Sequence, residues 1–97
     1  MIARVRMLAV NLDKLEALKE EWPRFPKTRV GKGGFQQAML LIDRKSGKGY
    51  SITFWDSEEA MKKSQNDREY KDAYQVLEND YQKHLSVDYC ELICHLK

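Results

Sequence analysis

The side chains best suited to proton transfer are two histidines, His84 and His95. Histidine is the side-chain type that titrates closest to neutrality, so each is a candidate general base. Neither has a recognisable partner in the sequence, and no serine, cysteine or lysine lies in a nucleophile motif. We expect His84 near a helix end, where a cation complements the helix dipole, and His95 at the surface or an interface. The sequence therefore assigns no catalytic residue.

Two cysteines, Cys90 and Cys94, are the other reactive groups. A predicted strand holds them about 13 Å apart, whereas a disulfide needs Cα atoms within about 7 Å. His95 points to the opposite face of that strand from Cys94, and no second pair of cysteine or histidine residues lies elsewhere. We therefore expect buried, reduced thiols and no metal site.

The composition is that of an ordinary globular chain. Its 97 residues suffice for one modest core, so we expect a single domain over 1–97. Seventeen basic and 15 acidic side chains are mixed along the chain, and the net charge of +2 favours neither nucleic acid nor a membrane as partner. No apolar run approaches the roughly 18 residues of a membrane span, and the N-terminus lacks a signal-peptide pattern. The expected location is the cytoplasm.

Strand and helix periodicities alternate along the sequence. A branched, apolar run over 2–10 predicts a strand, and apolar residues at helical spacing then predict a helix that ends near Trp22, before Pro23. The glycine-rich basic segment 24–34 has neither period and is predicted to be a loop. The remaining predicted elements are a hairpin of strands 35–43 and 48–55, a helical region to about residue 85 with a break near 65–67, and a strand over 87–96.

This order predicts an α+β, ferredoxin-like βαββαβ fold, with a four-stranded antiparallel sheet and both helical regions on one side. The odd-numbered residues of the first strand are wholly apolar, and the even-numbered residues combine apolar side chains with Arg4 and Arg6. An uncovered face with that many apolar residues needs a partner, and a two-fold homodimer is the commonest solution. Arg4, Arg6 and Glu91 are then candidates for charge pairs at the interface or for a solvated rim.

Three segments carry a family resemblance. They are Gly34-Phe35-Gln36 at the entry to the second strand, the hairpin over 40–49, and residues 51–61 with Trp55-Asp56-Ser57-Glu58-Glu59-Ala60 at a helix start. Together with the first and last strands, they resemble the antibiotic-biosynthesis monooxygenase-like family of dimeric α/β barrels. The resemblance implies a homodimer whose sheets pack face to face, with a small pocket between the sheet and the helices of each subunit.

The resemblance also bears on cofactors. Family members that oxidise aromatic, quinol-type molecules do so without metal or flavin, so it implies no cofactor. The haem-degrading branch uses an asparagine, a tryptophan and a histidine at positions that fall here on Met7, Ser64 and Tyr74. All three residues differ, so haem degradation is not predicted.

The implied pocket has candidate lining residues on two strands and a helix. Trp55 and Tyr74 combine apolar area with a hydrogen-bond donor and suit a flat aromatic ligand, although aromatic residues in such patterns also suit a plain core. Tyr50, Ile52 and Phe54 are expected to face the second subunit, and strand alternation alone permits the reverse. The predicted substrate-binding residues are Met7 on the first strand, Ser51, Thr53 and Trp55 on the third, and Tyr70 and Tyr74 on the helix.

We therefore predict a cofactor-independent monooxygenase-like protein that acts on a small aromatic, quinol-type molecule. A non-catalytic small-molecule-binding or stress-associated barrel protein is the alternative. Residues 48–55 are also similar to the signature octamer of the RNA-recognition motif, which shares the βαββαβ order. That motif stacks bases on aromatic residues, and here Leu8 and Ile52 occupy two of about three expected positions. Single-stranded RNA binding is therefore disfavoured.

Overall fold

Four strands form one antiparallel sheet in the order β2-β3-β1-β4 in the computed structural model, which describes residues 1–97. The strands are β1 (Ile2–Val10), β2 (Phe35–Ile42), β3 (Lys48–Trp55) and β4 (Gln82–Glu91). A 3₁₀ turn (Leu12–Lys14), α1 (Leu15–Glu21) and α2 (Arg24–Lys27) join β1 to β2, and α3 (Glu58–Ser64) and α4 (Arg68–Asp80) join β3 to β4. The predicted ferredoxin-like fold is confirmed. None of the helices has the length and apolar character needed to cross a membrane.

Polar side chains fix where α3 and α4 begin. The Ser57 hydroxyl accepts a hydrogen bond from the backbone N–H of Ala60, and a carboxylate oxygen of Asp67 accepts one from the N–H of Tyr70, each at 3.1 Å. Such caps satisfy the first free N–H groups of a helix. The predicted break near residues 65–67 is confirmed, because Asp67 starts a new helix there.

Several predicted boundaries are wrong. The segment 24–34, predicted to be a loop, contains the one-turn helix α2. Burial of Phe25 in the core holds this part of the chain against the sheet. The last helix ends at Asp80, and β4 begins at Gln82 and ends at Glu91. β4 pairs with the whole length of β1, and this pairing determines where β4 begins and ends. The pairing outweighs the helical spacing of the apolar residues that precede β4. The expectation that Cys90 and Cys94 are buried is also wrong, because both are exposed and Cys94 lies beyond the end of β4.

The two faces of β1 have different surroundings. Arg4 lies opposite Thr53 and Arg6 opposite Ser51 on the neighbouring strand, and these residues face the helices. The odd-numbered residues of β1 lie on the other face, which no element of the chain covers. The core between the sheet and the helices includes Leu8, Leu18, Phe25, Trp55 and Leu77.

A β-bulge in β4 determines which way His84 points. Met7 pairs with Ser86, whereas the next residue, Leu8, pairs with His84, so Leu85 is left over. The extra residue turns His84 to the helix-facing side of the sheet. The expectation that His84 lies at a helix end is therefore wrong.

Arg4 is a buried cation that ties β1 to α3 and α4. Its side chain is 1% exposed. Nη1 donates to the Tyr70 hydroxyl at 2.9 Å, and Nη2 donates to the Met61 carbonyl at 3.1 Å and the Ser64 hydroxyl at 3.2 Å. Burial lowers the pKa of Arg4 from its ordinary value, and Tyr70 opposes that shift. Neutral oxygens, rather than a carboxylate, therefore hold this guanidinium.

Tyr70→Phe tests this bond. The substitution leaves a guanidinium N–H of Arg4 buried without its acceptor, so we expect the free energy of unfolding to fall by about 2 kcal/mol. Urea denaturation followed by circular dichroism measures the change. Tyr81→Phe, at a half-buried tyrosine that makes no side-chain hydrogen bond, is the matched control and should change it by less than about 0.5 kcal/mol. Equal losses in the two variants would contradict the role given to Arg4.

Candidate functional site

Arg6 is the second cation on the helix-facing side of β1. Its guanidinium carbon lies 4.0 Å from the ring centroid of Tyr74 and 5.8 Å from that of Phe25. These distances allow a cation–π interaction. Nη1 of Arg6 is buried without a hydrogen-bond partner, and the charge of Arg6 contributes to lowering the pKa of Arg4. Two positive charges, those of Arg4 and Arg6, therefore lie two residues apart on the helix-facing side of β1.

The expectation that Arg4 and Arg6 lie at a dimer interface or on a solvated rim is wrong. Both side chains face the helices, because the wholly apolar set of β1 takes the open face instead. Neither arginine takes part in an ion pair. Glu91 is exposed at the end of β4, opposite Ile2.

Arg29 shows how this chain pairs another buried guanidinium. Its Nη1 donates to the Asp67 carboxylate at 2.7 Å. The backbone N–H of Tyr70 is the main cause that lowers the pKa of Asp67, with Lys32 and Arg29 adding to the shift. Asp67 thereby joins the loop before β2 to the start of α4. Arg4, by contrast, is held by neutral oxygens, and Arg6 has neither a carboxylate partner nor an acceptor for its Nη1.

A cleft of about 280 Å³ opens between β1 and α4. Its lining offers one guanidinium, one ammonium, two amides and two phenols, and it contains no carboxylate. The volume is slightly below the range of drug-sized sites, roughly 300 to 1,000 Å³, so a molecule of one or two rings fits best. The lining residues are Arg6, Gln65, Tyr70, Lys71, Tyr74 and Gln75.

A larger cleft of about 700 Å³ lies between α2 and α4. Its walls carry acidic and basic side chains of both signs, such as Glu20, Arg24, Lys27 and Asp72, and no aromatic ring. A flat aromatic molecule therefore has no stacking partner there. The smaller cleft is the better candidate site.

Tyr74 connects the smaller cleft to two titratable groups. Its hydroxyl donates to the Glu78 carboxylate at 2.8 Å and lies 3.4 Å from Nδ1 of His84. Burial is the main cause that raises the pKa of Tyr74 above its ordinary value, so the hydroxyl stays protonated at neutral pH. The one O–H of Tyr74 is therefore engaged by Glu78, the hydroxyl oxygen can still accept a hydrogen bond, and His84 or Glu78 can accept a proton beside it.

Two of the six predicted pocket residues, Tyr70 and Tyr74, line the cleft. Trp55 is fully buried behind it, and its Nε1 donates to the Thr53 hydroxyl at 3.1 Å. The indole N–H of Trp55, which had suggested a contact with a ligand, is therefore already hydrogen-bonded within the core. Ser51 is also buried on the helix-facing side. A role of these five residues in ligand binding stays a prediction.

Met7 lies on the other face of the sheet. It pairs with Tyr50, and strand alternation places it with the apolar residues of β1. The expectation that Met7 faces the helices is therefore wrong. Arg6 was not predicted as a site residue. The feature that could have indicated it is the pair of arginines, Arg4 and Arg6, at alternate positions of an otherwise apolar strand.

The His84 contact was missed for a different reason. It depends on the bulge at Leu85, and no local pattern in the sequence marks a bulge. A one-residue shift in strand pairing decides whether His84 meets Tyr74 or faces away from it.

Solved structures of similar fold cover nearly the whole chain. A candidate antibiotic biosynthesis monooxygenase from Deinococcus radiodurans has a TM-score of 0.77 and 14% identity, over 100% of this chain and 97% of its own. One from Nitrosomonas europaea has a TM-score of 0.75 and 12% identity, over 97% and 100%. SnoaB, a cofactor-independent oxygenase from Streptomyces nogalater, has a TM-score of 0.73 and 15% identity, over 98% and 95%. Identities this low show the fold alone.

Comparison of the sequence with models of protein families identifies the family of this chain. No curated protein matches the chain. The family model for antibiotic biosynthesis monooxygenase matches residues 1–76, which is more than half of the chain. The chain belongs to the antibiotic biosynthesis monooxygenase family.

Proposed function

We propose that this protein is a cofactor-independent monooxygenase that acts on a small aromatic, quinol-type molecule in the cleft between β1 and α4. Family membership and the fold shared with SnoaB support the reaction class. The observation that carries the proposal is the lining of the cleft, where Tyr70 and Tyr74 flank the unpaired guanidinium of Arg6. Aromatic rings bind a flat molecule, and the polar groups orient it.

The proposed reaction needs no external reductant. With a dihydroxynaphthalene, one phenol O–H and the C–H para to it are lost, and one atom of dioxygen becomes the new carbonyl oxygen. The other atom leaves as water with those two hydrogens. The substrate supplies all four electrons that dioxygen takes up, and the product is a hydroxynaphthoquinone.

The side chains of the cleft have distinct tasks in this reaction. Loss of the phenol proton leaves negative charge on the substrate oxygen, which the guanidinium of Arg6 stabilises, while the hydroxyl of Tyr74, whose own O–H donates to Glu78, relays the proton. His84 and Glu78 lie on either side of that hydroxyl and are placed to receive the proton.

A non-catalytic small-molecule-binding protein remains the second candidate. Full burial of Trp55 favours it, because the ring occupies space between the sheet and the helices that a larger substrate would need. Ligand-dependent tryptophan fluorescence without oxygen consumption supports this alternative and contradicts the oxygenase.

Oxygen uptake with a dihydroxynaphthalene tests the oxygenase. We expect one hydroxynaphthoquinone per dioxygen consumed, without hydrogen peroxide. Tyr74→Phe removes the hydroxyl that relays the phenol proton towards Glu78 and should lower kcat/KM by a factor on the order of 100. Tyr81→Phe is the matched control and should retain the parent rate. A Tyr74→Phe protein as fast as the parent, or stoichiometric peroxide, would contradict the proposal.

We also propose that the protein is a homodimer of the dimeric α/β barrel type, joined through the open sheet face. That face is apolar along three strands, and Leu41 at its edge is 51% exposed in the single chain. A sheet with one uncovered apolar face is typical of an interaction surface. Its residues include Val5 and Met7 of β1, Tyr50, Ile52 and Phe54 of β3, and Met39 and Leu41 of β2.

Light scattering of the purified protein tests the dimer. We expect twice the mass of one chain at micromolar concentration. Ile52→Asp places a charge on the open face and should yield a monomer, because an unpaired charge is costly in an apolar interface. Ala17→Asp, on the exposed side of α1, is the control and should stay dimeric. A monomeric parent would refute the proposal.

A further inference from the structure

We propose that the cleft selects an anionic ligand, a one- or two-ring aromatic carboxylate whose carboxylate is held by Arg6. The inference rests on the proposed function, since it concerns the same cleft, and it specifies the class of molecule that binds there. Five features of the chain support it. They are the missing counter-charge, the free N–H group of Arg6, the polar lining, the aromatic rings and the size of the cleft.

The first feature is the missing counter-charge. Arg4 and Arg6 lie on one face of β1 without an ion pair, while Arg29 on the same side of the sheet is paired with Asp67. Glu78 is the carboxylate joined to Tyr74, and it forms no ion pair with Arg6. A buried cation is stabilised by an anion that enters beside it, because the surroundings screen the charges less than water does.

The second feature is the free hydrogen-bonding capacity of Arg6. Its Nη1 is buried and has no acceptor within the chain. A guanidinium presents N–H groups in a planar fork, and a carboxylate matches that fork with two parallel hydrogen bonds. The Nη groups of Arg4, by contrast, are already bound to Tyr70, Met61 and Ser64. The Nε groups of Arg4 and Arg29 also lack an acceptor, but neither residue lines the cleft, so Arg6 is the arginine that is available to a ligand there.

The third feature is the rest of the lining. Lys71 adds a second positive charge, and Gln65 and Gln75 add amide N–H donors. The lining contains no aspartate or glutamate, and the carboxylate next to it, that of Glu78, is hydrogen-bonded to the Tyr74 hydroxyl. The ammonium and amide groups of the lining can contact the carboxylate oxygens that Arg6 leaves free.

The fourth and fifth features are the rings and the size of the cleft. Tyr70 and Tyr74 line it, and Phe25 lies behind them with ring centroids 4.6 Å and 5.3 Å away. This cluster offers an apolar surface to an aromatic ring next to the cation. A volume of about 280 Å³ limits the ligand to one or two rings. The carboxylate and the ring are thus recognised by adjacent parts of one site.

Isothermal titration of the 97-residue protein with naphthoate and with naphthamide tests the inference. The two probes have nearly the same shape and differ in charge. We expect naphthoate to bind at least about tenfold more tightly than naphthamide. Arg6→Gln should remove this preference and leave naphthamide binding within about twofold. Arg44→Gln removes one positive charge from the exposed hairpin turn and should keep the preference.

Two further measurements protect the test from a folding artefact. Circular dichroism checks the fold of Arg6→Gln, and Arg6→Lys retains the charge while losing the planar fork, so it should show a reduced but measurable preference. Inorganic phosphate at the same concentration should not displace naphthoate, because it lacks a ring. Displacement by phosphate would overturn the aromatic part of the inference.

The outcomes separate this inference from the proposed function. Equal affinity for the two probes, or a preference that survives in Arg6→Gln, would overturn anion selection even where oxygen uptake with a dihydroxynaphthalene is intact. Naphthoate binding that depends on Arg6, without oxygen uptake for any hydroxynaphthalene, would support anion selection and refute the oxygenase.

Discussion

The structure depends on two guanidinium groups on one face of β1, that of Arg4, which is fully buried, and that of Arg6, which is partly buried. A charge inside a protein must be solvated by other groups, and the two Nη groups of Arg4 meet this requirement with the hydroxyls of Tyr70 and Ser64 and the carbonyl of Met61. These bonds reach α3 and α4 at once, so they set how the second helical region lies on the sheet. Arg6 does not meet the requirement within the chain, and the candidate site forms around it.

Much of the fold follows from local sequence patterns. Alternation of side chains and capping residues act over a few positions, so they can be read from the sequence. They predict the strand over 2–10, the hairpin and the helix starts at Ser57 and Asp67. The limits of β4 are not visible in this way. They come from pairing with β1, a contact between the two ends of the chain, and so does the bulge that turns His84 towards Tyr74.

The candidate site was harder to predict than the fold. Patterns of burial place arginines at the surface, because a charged side chain is rarely buried. The arginines of β1 were therefore expected at an interface or rim, and Met7 was expected at the pocket. The structure has the reverse arrangement, since the wholly apolar set of β1 takes the open face. Tyr70 and Tyr74 were found from their helical spacing, which correctly placed them on the side of α4 that faces the sheet.

The proposed role of Arg6 is to bind an anion within an aromatic site. A crystal structure of the protein with bound naphthoate tests it most directly. We expect the carboxylate within hydrogen-bond distance of the Arg6 guanidinium, with the rings against Tyr70 and Tyr74. A carboxylate bound to surface lysines, or rings placed in the mixed-charge cleft between α2 and α4, would contradict it.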